Sequence, residues 1–408
     1  MPDMNPVDHR VKHISTIPAN AGEEVELFVR EYKGNASGHA PKPVLMLHGR
    51  SVPALPGFDL VLPAHGASPH PDTSYSWAQF LAGKGYDVFI MDLQGSGRSS
   101  RPKMDDVCNA NPAQRDLLKD SPGTAQCSPT ASYPYQLGNS QSEWGELATV
   151  VKFIRNRCKN EKISFIGWSA AAFVMGPYAL QNPEQVARMF LLAPIFPPNG
   201  RWSTNLEKPF APPPGTGLPT QPESKPAAVL GFPMNLTSKA ALQAGISDQE
   251  LADNVWRAIM DSDSIGKKWG GPTVGAPEGV MRYRNSYWWG WNTMTAPYGS
   301  TLGNAVPVFI VYGDQDKTAN TPEDLGPILH FSVPKLYKAI PGARKLMIRV
   351  RGWDHNPVWE RRPAQVLQHM SWKWLEEKKV YGVEHGSWEM DTDGVLEEVV
   401  DSALAEVK

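Results

Sequence analysis

Ile163-Ser164-Phe165-Ile166-Gly167-Trp168-Ser169-Ala170-Ala171-Ala172 is an apolar, β-like run that breaks sharply at a glycine, a serine and small residues. It reads as a strand, a tight turn and the start of a helix, with Ser169 as a nucleophile on the turn. A serine thrust out of so tight a turn has a strained backbone, and bulky neighbours would collide with the strand before it and the helix after it. Gly167 and Ala171 are small enough to relieve that crowding. The usual pattern is Gly-x-Ser-x-Gly, and here Ala171 replaces the last glycine. Taken alone, such a pentapeptide is more often a serine capping a helix N-terminus.

The flanks decide between the two. Upstream, His13–Ile17 and the alternating Glu24–Arg30 flank Asn20-Ala21-Gly22 and predict a hairpin at a sheet edge. Pro43–Leu47 is a continuous apolar run of the kind a fully buried strand shows, and it ends in His48-Gly49-Arg50-Ser51. Tyr86–Asp92 is another such strand, followed by Gly95-Ser96-Gly97-Arg98-Ser99. That turn lacks the lysine of a P-loop and the full dinucleotide spacing, so it is not read as a phosphate cradle. Residues 101–141 are polar and proline-punctuated, an excursion from the core. Glu143–Lys159 predicts an amphipathic helix, Phe173–Leu180 a helix and Val186–Ala193 a strand. Downstream, Pro307–Tyr312 ends in Gly313-Asp314-Gln315-Asp316, and Lys345–Val350 is followed by Gly352-Trp353-Asp354-His355-Asn356 and a helix over Pro363–Leu375. The tail, with Val395, Leu396 and Val399 among Glu397, Glu398, Asp401 and Glu406, predicts a short amphipathic surface helix.

This order of motifs resembles the α/β-hydrolase-fold superfamily, from about Val25 to Phe196 and again from near Val306. The resemblance implies an α/β fold with a mostly parallel central sheet flanked by helices and interrupted by a helical or coil cap. The implied division is 1–196 and 302–408 for the core and 197–301 for the cap. It also implies a catalytic triad in the chain order Ser169, Asp316, His355, with Asp314 the nearby alternative to Asp316. The backbone N–H groups of Arg50 and Ala170 would form the oxyanion hole, Ser51 standing second to Arg50. His48 reads as a buried histidine that holds its loop, while His330 and His369 read as helical surface or packing residues.

Within 197–301 the β/α alternation stops. Prolines at 209, 212, 213, 214, 219, 222 and 226 mark coil, and Ser247-Asp248-Gln249-Glu250 has capping-box spacing before a helix through Met260. The aromatic residues Trp168, Trp269, Tyr287, Trp288 and Trp291 are candidates for lining a substrate pocket; the plainer reading is that such rings pack the cap onto the core.

With 408 residues, 41% of them hydrophobic and a net charge of −2, the chain has ample core material and no polyanion-binding surface. No nucleic-acid partner, membrane span, metal or cofactor is expected, and no secretion signal is seen. A small-molecule substrate is expected, and a homodimer is left open. Of three cysteines, Cys108 and Cys127 share one loop that a disulfide would tie down. The compartment is cytoplasmic by default, and secreted or periplasmic if those two are bridged. The expected reaction is serine hydrolysis of a carboxylic ester or lactone of a bulky, aromatic or apolar molecule. An amidase or prolyl aminopeptidase-like hydrolase and a non-catalytic small-molecule-binding protein of the same fold are the alternatives.

Overall fold

The computed structural model describes residues 5–34, 40–64, 69–118, 121, 123–127, 136–214, 234–246, 248–271 and 276–399. The chain enters through an antiparallel hairpin, β1 (Val7–Ile14) and β2 (Glu24–Tyr32). β1 alternates between exposed and buried positions toward its end, as suits a sheet margin. The next strands are β3 (Pro43–Leu47) and β4 (Asp87–Met91), separated by the short helices α1 (Ala54–Phe58) and α2 (Trp77–Gly83). Helix α3 (Ser140–Arg157), opened by an Asn139–Ser142 capping box, leads to β5 (Ile163–Trp168), α4 (Ala172–Gln181) and β6 (Val186–Leu192).

Between β6 and the next core strand lie a two-stranded sheet of β7 (Met234–Thr237) and β8 (Met281–Arg284), and the helices α5 (Lys239–Gln243) and α6 (Gln249–Met260). Asp248 is the N-cap of α6 and accepts from the Leu251 N–H at 3.1 Å. Ser247 and the prolines at 219, 222 and 226 lie outside the described residues. The core resumes with β9 (Val308–Gly313), α7 (Val333–Ala339), β10 (Lys345–Val350), α8 (Arg361–Glu377), β11 (Gly386–Met390) and β12 (Leu396–Glu398).

The sheet order is β1-β2-β4-β3-β5-β6-β9-β10-β11-β12, parallel from β4 through β11 and antiparallel at both margins. β3, β5 and β9 are buried at every position, which explains their continuous apolar sequence: helices cover both faces. Among the described residues no helix is long and apolar enough to cross a membrane.

Two expectations fail. The tail is a strand at 396–398, paired with β11 through Met390↔Leu396 and Trp388↔Glu398, while Asp401 and Glu406 lie outside the described residues. Its reversal is local chemistry: Asp391 accepts from the Asp393 and Val395 N–H groups, and Gly394 takes φ +88°. The open edge of β11 then supplies the pairing that a periodicity argument does not register. His330 is not helical; it sits in the loop before α7 and donates from Nδ1 to the Thr321 carbonyl at 2.8 Å. His369 does lie on α8.

The 101–141 excursion and the insertion after β6 fold onto each other. Met104, Val107, Leu118 and Leu137 share a second apolar core with Met234, Leu236, Trp269 and Val280. A buried ion pair closes it, Arg282 gripping Asp263 at 2.6 and 2.7 Å beneath the Trp269 ring. Burial alone would raise the Asp263 carboxyl, but Arg282 and Arg101 bring it below its usual range. A disulfide joins Cys108 to Cys127 in the same lobe, and Cys158 is a free, buried thiol.

Closing a loop of sequence separation 19 restricts the unfolded chain by about 3 kcal/mol. Cys108→Ser should therefore lower stability by about that amount in urea titrations of the non-reduced protein, and dithiothreitol should reproduce the loss in wild type. Three free thiols in the denatured, unreduced protein would show that no bond forms.

Candidate active site

Ser169 stands at the end of β5 with φ +58°, in the left-handed region that costs a non-glycine residue of order 1–2 kcal/mol. The turn is as crowded as its sequence suggests. A Cβ on Gly167 would lie 3.1 Å from both the Ala171 Cβ and the Met175 sulfur. The loop after β3 also comes close: a Cβ on Gly49 would sit 3.1 Å from the Ser169 Cβ and 3.4 Å from the Trp168 carbonyl.

Three side chains from three strand ends meet here. The Ser169 hydroxyl lies 2.9 Å from His355 Nε2, and His355 Nδ1 lies 3.0 and 2.9 Å from the two oxygens of Asp316. Because a carboxylate can only accept, Nδ1 carries the proton and Nε2 is left as acceptor for the Ser169 hydroxyl. The Asp316 side chain is fully buried, and its Oδ1 also accepts from the Thr318 and Ala319 N–H groups at 2.9 Å each. Asp314, the alternative, is turned away and accepts from the Gly352 N–H at 2.7 Å.

Glycine is also required where the loops that carry Asp316 and His355 cross: a Cβ on Gly313 would meet the Trp353 carbonyl oxygen at 1.9 Å. The His355 loop is held from the Ser169 side as well, since Trp168 Nε1 donates to the His355 carbonyl at 3.1 Å. Trp168 is thus a clamp in addition to a wall, a role its position before the serine did not reveal.

His48 is buried, donates from Nδ1 to the Gly49 carbonyl at 2.5 Å and accepts at Nε2 from the Leu93 N–H at 3.2 Å. Burial pushes its pKa below the ordinary histidine value, against the opposing pull of Asp92, so it is a neutral strut for the loop. Asp92 in turn accepts from the Ala54 and Arg98 N–H groups, and Gly97, at φ +47°, leaves the space that its carboxylate fills.

A cavity of about 190 Å³ opens over Ser169. Val52, Trp168, Ile195, Trp288 and Phe331 form its apolar walls, and Arg50, Ser51, Thr318 and Asn356 its polar positions. Arg50 and Ala170 both border it beside the serine. The Arg50 N–H donates to no described residue, and Ala170 lies in the first helical turn, where N–H groups lack intrahelical acceptors.

Trp168 and Trp288 line this cavity, whereas Trp269, Tyr287 and Trp291 do not. Trp269 belongs to the second core, Tyr287 packs under Arg201 and beside Trp289, and Trp291 packs on Phe196 with its Nε1 on the Ile195 carbonyl. Area burial decides this: large rings on an insertion are first used to attach it. Ile195, Phe331, Thr318 and Asn356 carried no sequence signal, being ordinary residues in loops that only the fold brings together.

Trp288 is fixed by two contacts, a face-to-face stack on Phe173 at 4.5 Å and a bond from Nε1 to Glu143 at 2.8 Å. Glu143 is buried on α3, where burial raises its carboxyl despite Arg284, Ser286 and Trp288. Arg284 also forks onto Glu146 at 2.9 and 3.1 Å, and Glu146 receives the Gln94 N–H. Among the described residues no three His, Cys, Asp or Glu side chains are grouped to hold a metal.

The profile of the α/β hydrolase fold matches residues 42–361, and the chain belongs to that superfamily of hydrolases. Among solved structures it is similar to a probable hydrolytic enzyme from Pseudomonas aeruginosa, at 17% identity and TM-score 0.46 over 93% of this chain and 96% of that one. A malate-bound thermophilic esterase from Thermogutta terrifontis aligns at 14% identity and TM-score 0.44 over 90% and 98% of the two chains. The thioesterase domain of the curacin biosynthetic pathway aligns at 16% and 0.43 over 84% and 95%. No curated protein matches in sequence.

Two outcomes follow from this geometry. Gly49→Ala should push the loop off Ser169 and lower kcat about 10- to 100-fold with circular dichroism unchanged, since small misplacements are this costly. For His48, the unfolded state takes up a proton near pH 6.5 while the folded state resists it. The stability this group contributes is therefore full above about pH 6.5 and is lost progressively as pH falls below it. His48→Gln should flatten that part of the stability–pH curve, measured by thermal unfolding from pH 7.5 to 5.

Proposed function

We propose that this protein is a serine hydrolase that cleaves a carboxylic ester or lactone of a small, largely apolar or aromatic molecule through an acyl-enzyme. The observation that carries the reading is the hydrogen-bonded series Ser169–His355–Asp316 at 2.9 to 3.0 Å, lying under a mostly apolar cavity.

In this mechanism the Ser169 hydroxyl proton passes to His355 Nε2 as Oγ attacks the carbonyl carbon. The carbonyl oxygen takes up the electron pair and is stabilised by the N–H groups of Arg50 and Ala170, each such donor being worth about 3 kcal/mol. Collapse of the tetrahedral adduct expels the alkoxide, which takes the proton from His355. Water then gives a proton to His355 and attacks the acyl-serine, and the second collapse returns that proton to Ser169 while the carboxylic acid leaves. Asp316 holds the Nδ1–H tautomer and stabilises the imidazolium throughout. The insertion and the 101–141 excursion act together as the cap, with Trp288 as the part that touches substrate. The Cys108–Cys127 bond supports an oxidising compartment.

An aminopeptidase needs an acidic group for the substrate's amino terminus, and no Asp or Glu borders the cavity among the described residues. Glu278 is exposed, and its carbonyl is occupied by Trp256 Nε1. The ester reading is therefore preferred.

Wild type should hydrolyse p-nitrophenyl esters in a chain-length-dependent way and be labelled by a fluorophosphonate. Ser169→Ala should lose labelling and reduce turnover by about 10⁴-fold or more. Cleavage of an aminoacyl anilide without ester cleavage would replace this reading with a peptidase. Binding without any serine-dependent turnover would replace it with a binding protein.

A further inference from the structure

The oxyanion loop carries a cation that its surroundings do not neutralise. Arg50 borders the substrate cavity and also a smaller polar recess of about 20 Å³ that continues past Gly49, Ala170 and Trp288. Its guanidinium lies 5.5 Å from the centre of the Tyr283 ring on β8, between the core loop and the insertion. Among the described residues it makes no hydrogen bond and no ion pair. Several other arginines of the fold have carboxylate partners: Arg282 has Asp263, Arg284 has Glu143 and Glu146, and Arg30 has Asp8 and Asp59.

A partly buried guanidinium is poorly hydrated, and its planar fork suits a carboxylate. The Tyr283 face steadies the cation without cancelling its charge. The recess beyond it already holds a paired carboxylate and guanidinium, Glu143 and Arg284, among its lining residues, whereas the substrate cavity is lined by Arg50 and by no Asp or Glu among the described residues.

We infer that the Arg50 side chain binds a carboxylate of the substrate, so that the preferred substrate is an ester or lactone with an apolar body and one anionic group. A single guanidinium balances one unit of charge, which favours a carboxylate over a dianionic phosphate. This inference rests on the serine hydrolase reading and deepens it: the Arg50 N–H serves the reaction, while its side chain selects the molecule.

The carboxylate sits on either the acyl or the leaving group, and the test separates the two. In one arm the p-nitrophenyl hemiester of glutarate is compared with p-nitrophenyl pentanoate. In the other, 4-carboxyphenyl butyrate is compared with 4-carbamoylphenyl butyrate. Each rate is corrected with Ser169→Ala, and the quantity read is the anionic-to-neutral ratio of kcat/KM, which cancels any loss common to both substrates. Wild type should favour the anionic ester about 10- to 100-fold in one arm at low salt, the range expected for a hydrogen bond to a charged group. The preference should shrink as salt is raised. Arg50→Gln should bring the ratio close to one, and Arg50→Lys should keep part of it.

A wild-type ratio at or below one in both arms, with Ser169-dependent turnover present, overturns the inference and leaves the hydrolase reading intact. So does a ratio that Arg50→Gln does not change. If Arg50→Gln does not fold, the wild-type ratio, its salt dependence and Arg50→Lys decide. If no ester is turned over and no fluorophosphonate label is taken up, the hydrolase reading fails instead. Calorimetric titration of Ser169→Ala with glutarate against pentanamide, and benzoate against benzamide, then reads the site alone: preference for the anion keeps it, and equal or no binding removes it.

Discussion

A serine in the left-handed region at the end of a strand cannot hold that shape unaided, and the structure is organised around supplying the support. β5 lies in the middle of the parallel sheet, buried at each position, so its end is immovable. Around that end three glycines allow three close approaches: Gly167 to α4, Gly49 to Ser169, and Gly313 to the loop that carries His355. Each brings one component within bonding range of Ser169 or His355. The 2.9 Å relay between serine, histidine and aspartate follows from these approaches, because rigid strand ends leave the loops little freedom to miss.

The second level of support is ionic. Arg284 on the insertion meets Glu143 and Glu146 on α3, all three buried, and Glu146 also receives the Gln94 N–H. Buried charges of this kind add little net stability compared with apolar packing, but removing one member leaves another uncompensated. Here they fix where the insertion lands. Trp288, hung from Glu143 and stacked on Phe173, then forms the cavity wall at a defined distance from Ser169. The same logic recurs in the second lobe, where Arg282 and Asp263 join the insertion and the early excursion into one unit.

Arg50 breaks this pattern of paired arginines. Its backbone amide donates to no described residue, and its guanidinium lies over the Tyr283 ring with no counter-ion among the described residues. Burying part of a cation without a partner costs free energy, and a bound anion would offset that cost. Reaction and recognition would then share one residue through two different groups.

The sequence by itself determined the succession of core strands along the chain, the strand-to-helix turn at Ser169 and the loop after β10 that carries His355. Buried strands, glycine turns and a nucleophile elbow are local patterns whose physical demands fall within ten residues. It did not distinguish the rings that pack from the rings that line a cavity. Trp269 and Trp288 look alike as sequence and differ only in what lies opposite them, a second apolar core in one case and Glu143 with Phe173 in the other. Nor did it show that the tail returns as a strand, since an open sheet edge is a property of the assembled sheet. Tertiary structure decided these points, together with the pairing of the 101–141 excursion with the insertion and the isolation of Arg50. Apart from the tail, whose turn is local but whose sheet edge is not, these depend on contacts between residues far apart in the chain, where local periodicity carries no information.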